Sequence, residues 1–142
     1  MPARGAAEWK GELRTGSGTF SAGDGDISGE YSFRTRFEDA PGANPEQLIA
    51  AAHASCFSMA LSAALGNAGT PADSVKTDAV VWLRPVDGAP TITKIELTTV
   101  GRVPGIDQAA FAEAAEGAKR GCPVSRALAG VPEITLTATL EA

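Results

Sequence analysis

NPEQLIAAAHASCFSMALSAAL, residues Asn44–Leu65, is the stretch whose reading decides the fold. It opens with a helix start signal: Asn44 can cap, Pro45 suits the first helical position, and Gln47 follows three residues after the cap, as in a capping box. From Gln47 through Ala72 there is no Asp, Glu, Lys or Arg. A helix that is small or apolar on every face is expected to be buried on every face. Cys56 lies at its centre, with His53 one turn earlier and Glu46 in the opening turn. A bilayer span needs about 20 clearly apolar residues with basic flanks. Here His53, Ser55, Ser58, Ser62 and Asn67 dilute the run and basic flanks are missing, so a central core helix is the expectation. Its many alanines let another backbone approach closely.

Working outward, 142 residues suit a single domain, 1–142, large enough for a core of its own. A net charge of −5 and a pI near 4.8 argue against nucleic acid and anionic membrane as partners. The N-terminal MPARGAAEWKGEL carries no apolar run of the kind a signal peptide needs. Two cysteines make no secreted disulfide framework, so a cytoplasmic protein is expected, with thiols that are reactive, metal-binding or simply buried.

In chain order, Glu8–Leu13 and Gly18–Phe20 read as short strands around the turn at Thr15–Ser17. Gly23–Asp26 reads as a plain turn rather than a calcium loop, because no ligand-bearing loop follows. Tyr31–Phe37 alternates as a strand, with Tyr31, Phe33, Thr35 and Phe37 on one face and Arg34 and Arg36 on the other. Gly66, Gly69 and Pro71 stop the central helix. Val75–Arg84 and Thr91–Val103 follow as a hairpin. Asp107 can cap a helix over Gln108–Arg120, Pro123 starts a short one ending near Leu128, and Glu133–Leu140 closes as a strand. The order β-β-β-α-β-β-α-α-β predicts an α+β fold.

The cysteines are too far apart in sequence for a CxxC motif. The reactive form of a thiol is the thiolate, and an unperturbed thiol with a pKa of about 8.5 is mostly protonated at neutral pH. Cys122, just before Pro123, would feel backbone N–H groups at a helix start. Cys56, mid-helix, would be pushed up by burial and needs a cation, with Arg34 or Arg36 the nearest in chain logic and Glu46 to orient it. Inert packing remains open for both thiols, as does a core role for His53. His53, Cys56 and Cys122 could also supply three zinc ligands, short of the four a closed structural site wants. GxSxG and P-loop motifs are absent.

NPEQLIAAAHASCFSMAL, preceded by YSFRTRFE and followed by VPGID and KRGCPVSRAL, resembles the OsmC proteins of the OsmC/Ohr hydroperoxide-resistance family from about Trp9 onward. The resemblance implies an OsmC-like fold: antiparallel sheets packed around a buried central helix in an intertwined homodimer. It implies a thiol peroxidase acting mainly on organic hydroperoxides, with no redox cofactor and no metal. Cys56 in HASCF matches the peroxidatic cysteine, Cys122 in GCPVS the resolving one, Glu46 in NPEQL the family carboxylate and Arg36 in RTRFE the activating arginine, leaving Arg34 spare. A Cys56 sulfenic acid and then a Cys56–Cys122 disulfide are implied, opened by an outside dithiol on a lipoylated protein or thioredoxin. The alternative is a peroxide-sensing redox-switch binding protein using the same disulfide. In a straight helix, Glu46 and Cys56 would be about 15 Å apart along the axis. Either the helix breaks between them, with a break or offset near His53–Cys56 the expectation, or Glu46 acts at longer range. Phe57, Met59 and the Tyr31–Phe37 aromatics are expected to wall the approach to the thiol.

Overall fold

Three short strands open the chain in the computed structural model, which describes residues 1–141. β1 (Gly5–Lys10), β2 (Ser17–Ala22) and β3 (Ile27–Tyr31) pair in sequence order as an antiparallel sheet. Gly18 faces Trp9 on one side and Tyr31 on the other. A Cβ on Gly18 would fall 2.8 Å from the Trp9 ring, so only glycine lets the two aromatic rings meet at 5.5 Å. Gly23–Gly25 is a single 3-10 turn.

The strand expected over Tyr31–Phe37 is not formed as such. β3 ends at Tyr31, and Phe33–Phe37 is a short helix, α1. Ser32 Oγ accepts from the Thr35 N–H at 3.2 Å, and Thr35 Oγ1 accepts from the Ser32 N–H at 2.9 Å. That reciprocal box outweighs the alternating pattern, because Ser and Thr offer the backbone local hydrogen bonds that a lone strand segment lacks. Phe33 and Phe37 become i,i+4 neighbours with ring centroids 4.9 Å apart.

α2 runs over Pro45–Asn67. Its start is as expected: Gln47 N–H donates to Asn44 Oδ1 at 2.9 Å, and Asn44 N–H donates to Gln47 Oε1 at 3.1 Å. The break expected near His53–Cys56 is absent; no glycine or proline interrupts the turn there, and the alanine-rich run is a strong helix former. Burial on every face is also not seen within one chain. His53, Phe57, Leu61 and Leu65 form a buried i,i+4 stripe, while Ala51, Ala52, Ser55, Met59 and Ser62 are exposed.

By backbone contacts the chain forms two compact units, one from Met1 to Leu48 and one from Ile49 on. In the second, β4 (Ser74–Val86) and β5 (Ala89–Arg102) form an antiparallel hairpin. Its turn, Asp87–Gly88, has φ of 51° and 80°, the left-handed pair that a tight two-residue hairpin demands. β6 (Glu133–Leu140) joins β5 in parallel, correcting the all-antiparallel expectation. The chain crosses over through α3 (Gln108–Gly121) and α4 (Pro123–Ala127), and such a crossover returns a strand in the same direction.

Asp107 caps α3 through a 2.9 Å bond from the Ala110 N–H. Phe111 lies so close over Gly101 of β5 that any side chain there would overlap its ring. Phe57, Leu61 and Leu65 from α2 share one core with Ile95 and Leu97 from β5 and with Phe111 and Ala115 from α3. Each large member contributes about 1.5–3 kcal/mol by leaving water, which anchors the Cys56 turn. The full order is β-β-β-α-α-β-β-α-α-β, the expected α+β order with α1 added.

Candidate active site

Cys56 projects from the middle of α2 one residue before Phe57, whose side chain is wholly buried. Cys122 is the residue that ends α3 and begins α4, with Pro123 in the first turn. Both are free thiols, and each shifts the pKa of the other. Cys122 is fully buried and Cys56 half-buried.

Their surroundings act in opposite directions. Burial pushes the Cys56 thiol up, its hydrogen bond to Cys122 pushes it further, and the Val124 backbone N–H offsets only part. Burial also acts upward on Cys122. There the contact with Cys56, the backbone N–H and hydroxyl of Ser125 and the N–H of Val124 together outweigh it, and the thiol is lowered. Within the chain, therefore, Cys122 is the sulfur that holds the negative charge more readily. The influences that shift Cys56 are thus burial, Cys122 and the Val124 backbone, none of them a cation.

His53, one turn before Cys56, is fully buried. Its Nε2 lies 2.7 Å from Ser125 Oγ, tying α2 to the first turn of α4. Burial lowers its pKa, so the ring is neutral at pH 7. The described residues contain no group of three or more His, Cys, Asp or Glu side chains placed to hold a metal ion.

The other two expected residues meet in the N-terminal unit. Arg36, in α1, donates from Nε at 3.1 Å and from a terminal nitrogen at 2.8 Å to Glu46 Oε1, in the first turn of α2. The Glu46 carboxylate is buried and its Oε2 has no partner. Arg34 points elsewhere, 75 % exposed and 3.5 Å from Glu38. Chain logic alone left Arg34 and Arg36 open, the family resemblance pointed to Arg36, and the structure pairs Arg36 with the carboxylate. Beside Arg36 lies a cavity of about 380 Å³ walled by Trp9, Leu13, Tyr31, Phe33 and Phe37. Phe57 is sealed in the core and Met59 is 75 % exposed, so the expected walls of the thiol approach are partly wrong.

Ser125 was not singled out from the sequence. Its signal is local: it follows Cys122 by three residues across the Pro123 turn, and its hydroxyl helps to lower the Cys122 thiol. Trp9 and Leu13 were missed as cavity walls because nothing local ties β1 and the following turn to Arg36.

A family model described as "OsmC-like protein" matches residues 37–137. The chain is 49% identical over 134 residues to "Peroxiredoxin OsmC" of Escherichia coli (strain K12), covering 94% of this chain and 92% of that protein. It is 37% identical over 98 residues to "Organic hydroperoxide resistance protein" of Xanthomonas axonopodis pv. citri (strain 306), covering 68% and 66%. In fold it is similar to the crystal structure of an OsmC like protein from Mycoplasma pneumoniae, with a TM-score of 0.75 at 16% identity over 100% and 99% of the two chains. The chain belongs to the OsmC-like protein family.

Proposed function

We propose that this protein is a cysteine-based peroxidase that reduces hydroperoxides, organic ones above all, to alcohols. The observation that carries the reading is a pair of free thiols, Cys56 and Cys122, that shift each other's pKa, in a chain 49% identical to a protein named peroxiredoxin OsmC. Cys56 thiolate attacks the O–O bond, forming a Cys56 sulfenic acid and releasing the alcohol. Cys122 then displaces hydroxide from that sulfur to form a disulfide, which an external dithiol reopens. Such a cycle suits a reducing compartment such as the cytoplasm.

Cys56 needs a cation that its own surroundings do not supply. Arg36 is held at the start of α2 by Glu46, ten residues and about 15 Å of unbroken helix before Cys56. The reading therefore assigns the activating role to Arg36 of the partner subunit, held by Glu46 of the partner subunit, in a homodimer. The exposed small-residue face of α2 supports that assembly. The aromatic cavity beside Arg36 then receives the apolar tail of the peroxide.

NADH-coupled peroxide consumption tests the reading, comparing lipoamide with thioredoxin systems and t-butyl hydroperoxide with hydrogen peroxide. Turnover with at least one dithiol system is expected. Peroxide consumption no faster than that of a free thiol, with a large oxidation-linked change in partner binding, would favour a redox switch instead.

A further inference from the structure

His53 is the only histidine in the chain, is fully buried, and takes no part in the chemistry above. Its one polar contact is with the hydroxyl beside Cys122, and its Nδ1 has no hydrogen-bond partner. A neutral ring carries one N–H, and buried donors are orphaned more rarely than buried acceptors. The proton therefore sits on Nε2, which donates to Ser125 Oγ and leaves only a lone pair at Nδ1. With its oxygen accepting from the ring, Ser125 has its own proton free to give.

We infer that His53 and Ser125 are positioning residues for the resolving thiol: the ring N–H fixes the Ser125 oxygen, and the hydroxyl proton is thereby turned onto the Cys122 sulfur. This deepens the peroxidase reading and rests on Cys122 as the resolving thiol. The geometry suits the role. Cys122 and Ser125 occupy the cap and third positions of the α4 turn, and His53 approaches from α2 on the same side as Cys56. The titratable groups facing Cys122 are Cys56 and, through Ser125, His53. From α3, Lys119 is occupied by Glu116 and the Ile134 carbonyl, and Arg126 of α4 is exposed. A hydroxyl donor is then the adjustable element at this sulfur.

The step it serves balances with one proton exchanged with solvent, lost when the Cys122 thiol ionises and returned to the departing hydroxide. The Cys122 thiolate attacks the Cys56 sulfenic sulfur, the S–S bond forms as the S–O bond breaks, and the departing hydroxide takes a proton to become water. Cys122 is oxidised and the sulfenic sulfur reduced, each to the disulfide level. A donor that holds Cys122 as thiolate raises the fraction ready to attack.

The test is a pH titration of Cys122 by ultraviolet thiolate absorbance in a Cys56→Ser background, with disulfide formation after one equivalent of peroxide followed in the Cys56 chain. Ser125→Ala and His53→Leu are each expected to raise the Cys122 midpoint by about one pH unit and to slow disulfide formation about tenfold at neutral pH. His53→Gln, whose side-chain amide places an N–H near the Nε2 position, is expected to restore both. Should His53→Leu fail to fold, Ser125→Ala against His53→Gln carries the comparison. A midpoint unmoved in Ser125→Ala, or equally raised in His53→Gln, overturns the inference. The titration needs no peroxide, so it is decided separately from the peroxidase reading, which fails instead if the wild type forms no disulfide.

Discussion

In the proposed cycle Cys56 meets the peroxide and Cys122 resolves it, and their surroundings differ in sign. Cys122 is lowered by Cys56 and by Ser125 and Val124 of its own turn, which together outweigh burial, whereas burial and Cys122 raise Cys56. Cys56→Ser is expected to abolish peroxide consumption even in a single turnover. Cys122→Ser should complete one turnover and then stop, with Cys56 trapped as sulfenic acid or carried to sulfinic acid by excess peroxide. Mass spectrometry of the oxidised chains checks this, and retention of the first turnover by Cys56→Ser would reverse the roles. Arg36→Ala should raise the Cys56 midpoint and slow the first oxidation by about a hundredfold, the size of about 2.7 kcal/mol of lost charge stabilisation. Arg34→Ala, on a 75 % exposed side chain, should change neither. Equal effects in stopped-flow and thiol titration would dismiss the Arg36 assignment. The buried His53 has a lowered pKa, so below about pH 6.5 the unfolded chain takes up a proton that the folded one refuses. Stability from this group is complete above that pH and falls as the pH drops through the window. Urea midpoints should show that slope in wild type and lose it in His53→Gln; an identical slope in both would place its origin elsewhere.

At the scale of elements, what could be read in advance was whatever local chemistry decides. The Asn44–Gln47 box, the Asp107 cap and the alternation of Glu133–Leu140 needed no distant partner, and all three stand in the structure. α1 was missed because Tyr31–Phe37 carries two local signals, a period-two aromatic pattern and a Ser32–Thr35 box, and the box prevailed. The parallel pairing of β6 with β5 was missed because the strand's own residues do not record its direction; the α3–α4 crossover sets it. The site divided the same way. Arg36, Glu46 and both cysteines could be named from motif blocks, but Ser125 could be reached only by following the α4 turn to the His53 ring. Moving the aromatics onto α1 gives the cavity beside Arg36 its Phe33 and Phe37 walls. Leu13→Asp, placing a charge in that cavity, should cut kcat/KM for t-butyl hydroperoxide about tenfold, or ~1.4 kcal/mol, and leave hydrogen peroxide nearly unaffected. A parallel loss for both peroxides would show that the cavity does not read the tail.

At the scale of the whole molecule, the open face of α2 and the proposed activation of Cys56 by a cation both call for the proposed dimer. After Glu46, one chain fully buries only the His53, Phe57, Leu61 and Leu65 stripe of a helix that carries no further charge. A second copy can cover the small-residue face and bring a cation to the thiol. Light scattering at micromolar concentration is then expected to give about twice the 14.4 kDa of one chain. Mixed dimers decide whether the arginine crosses between subunits. Arg36→Ala and Cys56→Ser chains, each inactive alone, are co-expressed with different tags and the mixed dimer is isolated. If each site draws its cysteine from one chain and its arginine from the other, the mixed dimer holds one intact site and one doubly broken site. It should then recover roughly half the wild-type rate per dimer, as twofold symmetry requires. If both residues came from the same chain, every site in the mixed dimer would be broken and its activity would stay at the level of the parents. That result would return the activating arginine to the same chain as its thiol and overturn the shared-site dimer.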